Sequence, residues 1–243
     1  MNYKDYGNTL EQSFQKNALA KQQAAFISKV YMWMSLALFI SGFTAYFTAN
    51  SPGLLNLMFT PTGPTFLYYA LIIGELGLVF ALSGAIHKMT LGLASAIFLF
   101  YSFINGMTLA MIFLAYTMSS IASTFFITAG TFAIMSLYGY FTKTDLTKFG
   151  RILFMALLGV LLAIIVNIFL KNSMLDLIIS VVGVLIFVGL IAYDTQTLKS
   201  LGTQINAYER ESYSKIAIQG ALSLYLDFIN LFLYLLKFLG SRR

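Results

Sequence analysis

Cysteine is absent from all 243 residues, which removes disulfides, thiolate metal sites and cysteine nucleophiles without naming a compartment. Charge is scarce: 15 basic and 9 acidic residues, 10% of the chain, cannot clothe the surface of a soluble domain of this length. Proline is rarer still, and all 3 copies, Pro52, Pro61 and Pro64, fall in one short stretch. A lone histidine, with no His-Glu-x-x-His pattern, does not support an intramembrane zinc protease. No glycine-rich phosphate loop with a following Lys-Ser/Thr is present, so ATP-driven pumping within the chain is not supported either. The isoelectric point near 9.4 does not argue for nucleic acid, because the basic residues sit in the short gaps between apolar runs.

What is abundant is apolar. With 59% hydrophobic residues and a mean hydropathy of +0.81, the class that fits is an all-α polytopic membrane protein. A hydrocarbon core of roughly 30 Å takes about 20 helical residues per crossing. By that measure the apolar runs give seven spans, at 30–49, 66–86, 90–113, 121–141, 152–170, 174–198 and 216–239. Residues 1–29 are polar, carry Lys4, Asp5, Glu11, Lys16, Lys21 and Lys29, and do not read as a cleaved signal. They are expected to form a cytoplasmic arm, with a surface-lying helix from about Leu10, ahead of a transmembrane domain at 30–243.

The basic residues orient the bundle. Lys29 and the lysines before it, Lys88, the trio Lys143, Lys148 and Arg151, and the group Lys199, Arg210 and Lys215 all fall on one side, which makes the amino terminus cytoplasmic. The opposite side has Lys171 alone between spans five and six, and seven full crossings, which are kept, also put Lys237, Arg242 and Arg243 outside; a re-entrant last segment, tolerated when buried in protein, is the alternative that would return them inside. No internal repeat supports an inverted-repeat transporter. The small residues Gly77, Ala81 and Ala85 and the end-of-span aromatics Trp33, Tyr68 and Tyr69 are accounted for by packing and interface anchoring.

Three acids lie where membrane insertion penalises them by roughly 2.5 to 3.5 kcal/mol each at a span centre. Glu75 is near the middle of the second span, Asp227 about 16 Å along the seventh, and Asp194 about one turn inside the end of the sixth. Two carboxylates brought together on consecutive helices cannot both ionise cheaply, so a proton is held between them and the pair acts as a proton-sensitive latch. Deprotonated, the same oxygens are hard ligands suited to calcium, which then competes with protons. The plainer account is that each acid is neutral or hydrogen-bonded and only ties helices together, with Asn105, Asn167, Ser223 and Asn230 as polar partners. For Asp194, a Lys199 head group offers a further partner. His87, at the end of the second span beside Lys88, titrates in the physiological range and can approach Asp194 if the spans pack so. An intramembrane aspartyl hydrolase lacks the glycine context around Asp227, and no enzymatic activity or cofactor is expected.

The run Ala221-Leu-Ser-Leu-Tyr-Leu-Asp227-Phe-Ile-Asn230, continuing to Lys237-Phe-Leu-Gly240, resembles the last span of the Bax inhibitor-1 family, which includes bacterial YccA-like and YetJ-like proteins. Ile191-Ala-Tyr-Asp194-Thr-Gln196 is similar to that family's sixth span and Phe103-Ile-Asn105-Gly106-Met-Thr-Leu109 to its third, while Glu75 falls where its second span carries an acid. The resemblance implies a seven-helix fold with the last helix central, placed in the bacterial inner (plasma) membrane. It also implies a pH-sensitive passive calcium leak in which Asp194 and Asp227 are the sensor and gate, and transient calcium ligands, and Glu75 joins them along the cation path with Asn105 and Asn230 in support. Bacterial relatives latch the pair with an arginine at the end of the second span. This chain has Ile86, His87 and Lys88 there, so His87 or Lys88 is the candidate latch. Some bacterial members are linked to a membrane-bound AAA protease, which leaves open a second role as a non-transporting partner of that protease, with the 1–29 arm as handle. The expected partners are then the lipid bilayer, calcium and protons, without nucleic acid; a monomer satisfies the fold, and the oligomeric state is not fixed by the sequence.

Overall fold

A computed structural model describes residues 3–61, 63–204 and 210–242, with side chains from residue 14 onward except at Lys16 and Arg210. The chain forms α1 (Tyr3–Ala49), a short α2 (Pro52–Met58), the two-residue strands β1 (Phe59–Thr60) and β2 (Gly63–Pro64), and α3 (Phe66–Ala85) closed by a 3-10 turn at Ile86–Lys88. It continues with α4 (Leu91–Ala115), α5 (Met118–Phe141), α6 (Thr147–Leu170), α7 (Ser173–Gln204) and α8 (Arg210–Leu239). Seven of these helices are long and apolar enough to cross a membrane, and they match the seven apolar runs of the sequence.

The breaks are chemically ordinary. All three prolines lie between α1 and α3, where β1 and β2 pair in a minimal hairpin. Thr65, Thr90 and Thr117 cap α3, α4 and α5 by accepting the N–H three residues on. Lys171 ends α6 in the left-handed conformation at φ 50°. In the α5–α6 turn, the side-chain and backbone hydrogen bonds from Thr147 hold the exposed Asp145 carboxyl below the usual carboxylate range.

α8 is the centre. It packs against α1, α3, α4, α5 and α7, and Tyr225, Ile218, Leu222, Leu224 and Leu231 on it are fully or almost fully buried. Close approach elsewhere depends on glycine: a Cβ at Gly106 would meet the Ser41 carbonyl at 2.6 Å, and one at Gly139 would strike the Ala192 carbonyl. α6 is the exception to this wrapping. It packs on α7 and on no other helix to a comparable extent, which leaves a gap between α6 and α8.

One expectation is corrected here. No surface-lying helix separates from the first span: α1 runs unbroken through residue 29, and its Phe26 and Ile27 are buried, Phe26 meeting Tyr213 of α8 edge-on at 5.3 Å. Polar residues were read as leaving the helix when they only leave the hydrocarbon. The charged side chains of Lys4, Asp5, Glu11, Lys16 and Arg210 lie outside the described residues. The seven full crossings hold at the last segment: α8 is unbroken and does not turn back, and its end is pinned beside the α4–α5 turn by Thr117 N–H to the Ser241 carbonyl at 3.2 Å and Ser241 N–H to Ser120 Oγ at 2.9 Å. The helix of α7 continues past Leu198 to Gln204, about 15 Å beyond Asp194.

Candidate functional site

Asp194 and Asp227 meet. α7 and α8 are closely packed neighbours, and the two carboxyls are within hydrogen-bonding reach of each other. Asp227 is buried, and its Oδ2 has no hydrogen-bond partner among the described residues. Two carboxyls at that range hold a proton between them, because two adjacent negative charges in a low-dielectric interior repel strongly.

The pair stands between two hollows. One, about 790 Å³, fills the gap left by α6 and is lined by Arg151, Phe154 and Leu157 of α6, Tyr193 and Asp194 of α7, and Ser223, Asp227 and Asn230 of α8 among others. The other, about 210 Å³, runs between α7 and α8 toward their basic ends, past Thr197, Gln219 and Gly220. Asp194 and Ser223 line both. The arrangement can therefore bind and release protons, and offers a cation oxygen ligands from two carboxyls and a hydroxyl. Among the described residues no group of three His, Cys, Asp or Glu side chains is placed to hold a metal.

Asn230 lines the larger hollow, its Nδ2 donating to the Leu226 carbonyl at 2.8 Å. Asn105 and Glu75 do not join. Glu75 accepts from Asn105 Nδ2 at 3.0 Å and Thr108 Oγ1 at 2.7 Å, in a network on the α3–α4 side of α8, and lines neither hollow that holds the aspartates. His87 and Lys88 are exposed in the 3-10 turn and line neither hollow, so the structure does not bring the candidate latch to the pair. Lys199 is engaged elsewhere, donating to the Tyr140 carbonyl at 2.6 Å and lying over the Tyr140 ring.

Arg151 is the residue that sequence reasoning missed. It had been counted only as a topology charge between two spans, yet α6 begins at Thr147 and carries it onto the wall of the acid-containing hollow. The neighbouring Gly150, which a Cβ would fill at 2.5 Å from the Tyr193 ring, offered a hint that α6 and α7 touch here.

Comparison with known proteins agrees with this architecture. The family model described as "Inhibitor of apoptosis-promoting Bax1" matches residues 23–243. Inner membrane protein YbhL of Escherichia coli K12 is 49% identical over 218 residues, 90% of this chain and 92% of the relative. An uncharacterized protein of Rickettsia prowazekii is 40% identical over 98% of this chain and 99% of its own length. An uncharacterized membrane protein of Streptococcus pyogenes serotype M6 is 39% identical over 88% of this chain and 92% of the relative.

Proposed function

The chain belongs to the Bax inhibitor-1 family of multi-pass membrane proteins, and on that footing we propose that it is a passive, proton-modulated cation leak with calcium as the permeant ion. The observation carrying this reading is the buried Asp194–Asp227 pair, with Asp194 shared by two hollows. A shared proton joins α7 to α8 and closes the route between the hollows. When that proton leaves, the carboxylates repel, the helices part, and their oxygens replace some of a cation's hydration shell. The basic ends of the helices face the cytoplasm by the positive-inside rule, and the inner-membrane relative supports an inner-membrane location. No catalytic step belongs to this reading.

The test is flux into liposomes holding a calcium dye, across roughly pH 5 to 8, for wild type, Asp194→Asn and Asp227→Asn. Asparagine keeps the shape and removes the titratable oxygen. Protein-dependent flux that rises with pH in wild type and loses its pH response in either folded variant is the expected result. Folded protein with no flux above empty liposomes at any pH overturns the leak and leaves the protease-partner role as the reading to pursue.

A further inference from the structure

Glu75 stands apart from the aspartate pair, yet it starts a chain of contacts that crosses the core. Asn105 and Thr108 of α4 bind its carboxyl. Asn105 then meets Tyr225 Oη of α8 at 2.7 Å, Tyr225 meets Ser41 Oγ of α1 at 2.6 Å, and Ser41 meets the Ser102 carbonyl at 2.7 Å. Ser41, Ser102, Asn105 and Tyr225 are all buried, so the hydrogens that fill these contacts must come from the chain itself.

Counting those hydrogens decides the state of the acid. If Glu75 is ionised, Asn105 turns Nδ2 toward it, and Oδ1 takes the Tyr225 hydrogen. Ser41 is then left with one hydrogen for two oxygens, Tyr225 Oη and the Ser102 carbonyl, and one of two contacts of 2.6 and 2.7 Å is unfilled. With a proton on Glu75 the links from its carboxyl to the Ser102 carbonyl are all filled in one direction, while Thr108 divides its one hydrogen between Glu75 Oε1 at 2.7 Å and the Asn105 carbonyl at 3.0 Å in either state. The carboxylic O–H donates to Asn105 Oδ1, Asn105 Nδ2 to Tyr225 Oη, the phenol to Ser41 Oγ, and Ser41 to the Ser102 carbonyl. The two ends of an amide have the same shape, so reversing the chain needs only that Asn105 turn over and two hydroxyls rotate.

Asn105 and Thr108 donate to the Glu75 carboxyl, but among the described residues no positive charge faces it. α2 and α4 contain no Asp, Glu, Lys, Arg or His, and the titratable groups facing it are tyrosines: Tyr68 of α3, Tyr101 of α4 and Tyr225 of α8. The cations next along its own helix, His87 and Lys88, are about 18 Å away along the axis. We infer that Glu75 is a second proton-binding site, separate from the aspartate pair, and that its proton sets the direction of the hydrogen-bond chain through Asn105 and Tyr225 to Ser41.

Infrared spectroscopy of the wild-type protein in lipid, with heavy carbon in the glutamate carboxyls alone, reads this group directly. The other glutamates, Glu11, Glu209 and Glu211, lie in polar stretches of the sequence. A label-shifted band of a protonated carboxyl is expected at neutral pH, absent from Glu75→Gln and retained in Asp194→Asn and Asp227→Asn. Tyr225→Phe removes two bonds from the protonated chain and one from the ionised chain, so its band is expected to titrate about half to one pH unit lower. A fully ionised glutamate set at neutral pH in labelled wild type overturns the inference, and that result needs no variant to fold. The readout is independent of flux: a missing leak leaves a protonated Glu75 standing, and an ionised Glu75 leaves a working leak standing.

Discussion

Tyr225 and Asp227 are two residues apart on α8 and serve different partners: the phenol bridges Ser41 of α1 and Asn105 of α4, while the carboxyl reaches Asp194 of α7. One turn of the central helix thus holds both polar systems of the bundle. Removing the Tyr225 hydroxyl strands buried partners, and Tyr225→Phe is expected to lower stability by about 1–3 kcal/mol, measured by denaturation in detergent. A loss under half of that would show the network to be incidental to the fold.

Arg151 offers a test of sign. A cation on the wall of the hollow favours the ionised aspartates, so Arg151→Gln should move the flux transition to higher pH. Because Arg151 is exposed, screening keeps the shift small, and added salt should shrink the difference between variant and wild type. No shift would mean that the guanidinium does not act on the pair, and a shift to lower pH would reverse the sign of the effect.

Glycine contacts give a stability contrast. Gly139→Ala drives a methyl group into the Ala192 carbonyl of α7, and a backbone shift costing about 1–3 kcal/mol is expected. Gly159→Ala meets nothing within 4 Å and should be neutral or stabilising by up to about 1 kcal/mol, through helix propensity. Thermal unfolding of the two variants side by side checks the α5–α7 crossing.

The absence of cysteine makes topology directly measurable. Single cysteines at Lys88 or Lys143 should react with an impermeant maleimide from the side opposite to those at Asn172 or Ser241. Labelling of Ser241→Cys and Lys88→Cys from the same side would contradict an α8 that crosses fully.

Lys237 and Asp176 form an ion pair at the end of the bundle that also carries Lys171 and Arg242. Each side chain is about a third exposed, at 33% and 37%, so Lys237→Ala should lower stability by only about 0.2–1 kcal/mol, less in high salt. Its larger meaning is for topology: the lysine that sat badly with the positive-inside pattern has a local counter-ion.

The spans were legible because a run of apolar residues near 20 long has few other uses, and the aspartates because a carboxyl at such depth needs a partner. Which acids share a site was not legible. Glu75 and Asp227 lie at similar depth, and depth alone groups them; they are separated by the angle around α8 at which Tyr225 and Asp227 point, which depends on how six helices pack. Arg151 was hidden by an adequate simpler explanation, its contribution to charge asymmetry. Asp176 carried a readable signal, an acid in the first turn of α7 on the same end as a stray lysine, but the pairing joins residues 61 apart in the chain.

The central position of α8 bears on how the protein is made. Translation delivers the surrounding helices first and the axis last, so α1, α4, α5 and α7 enter the bilayer before the residues that will fill the space between them exist. Until then their inward faces, including Ser41 and Asn105, have only lipid or one another for company. A chain cut short before α8 therefore loses its middle rather than its edge, and also half of the carboxyl pair. The nascent six-helix assembly holds neither a finished core nor a finished carboxyl pair, and both are completed in one event when the final helix threads in.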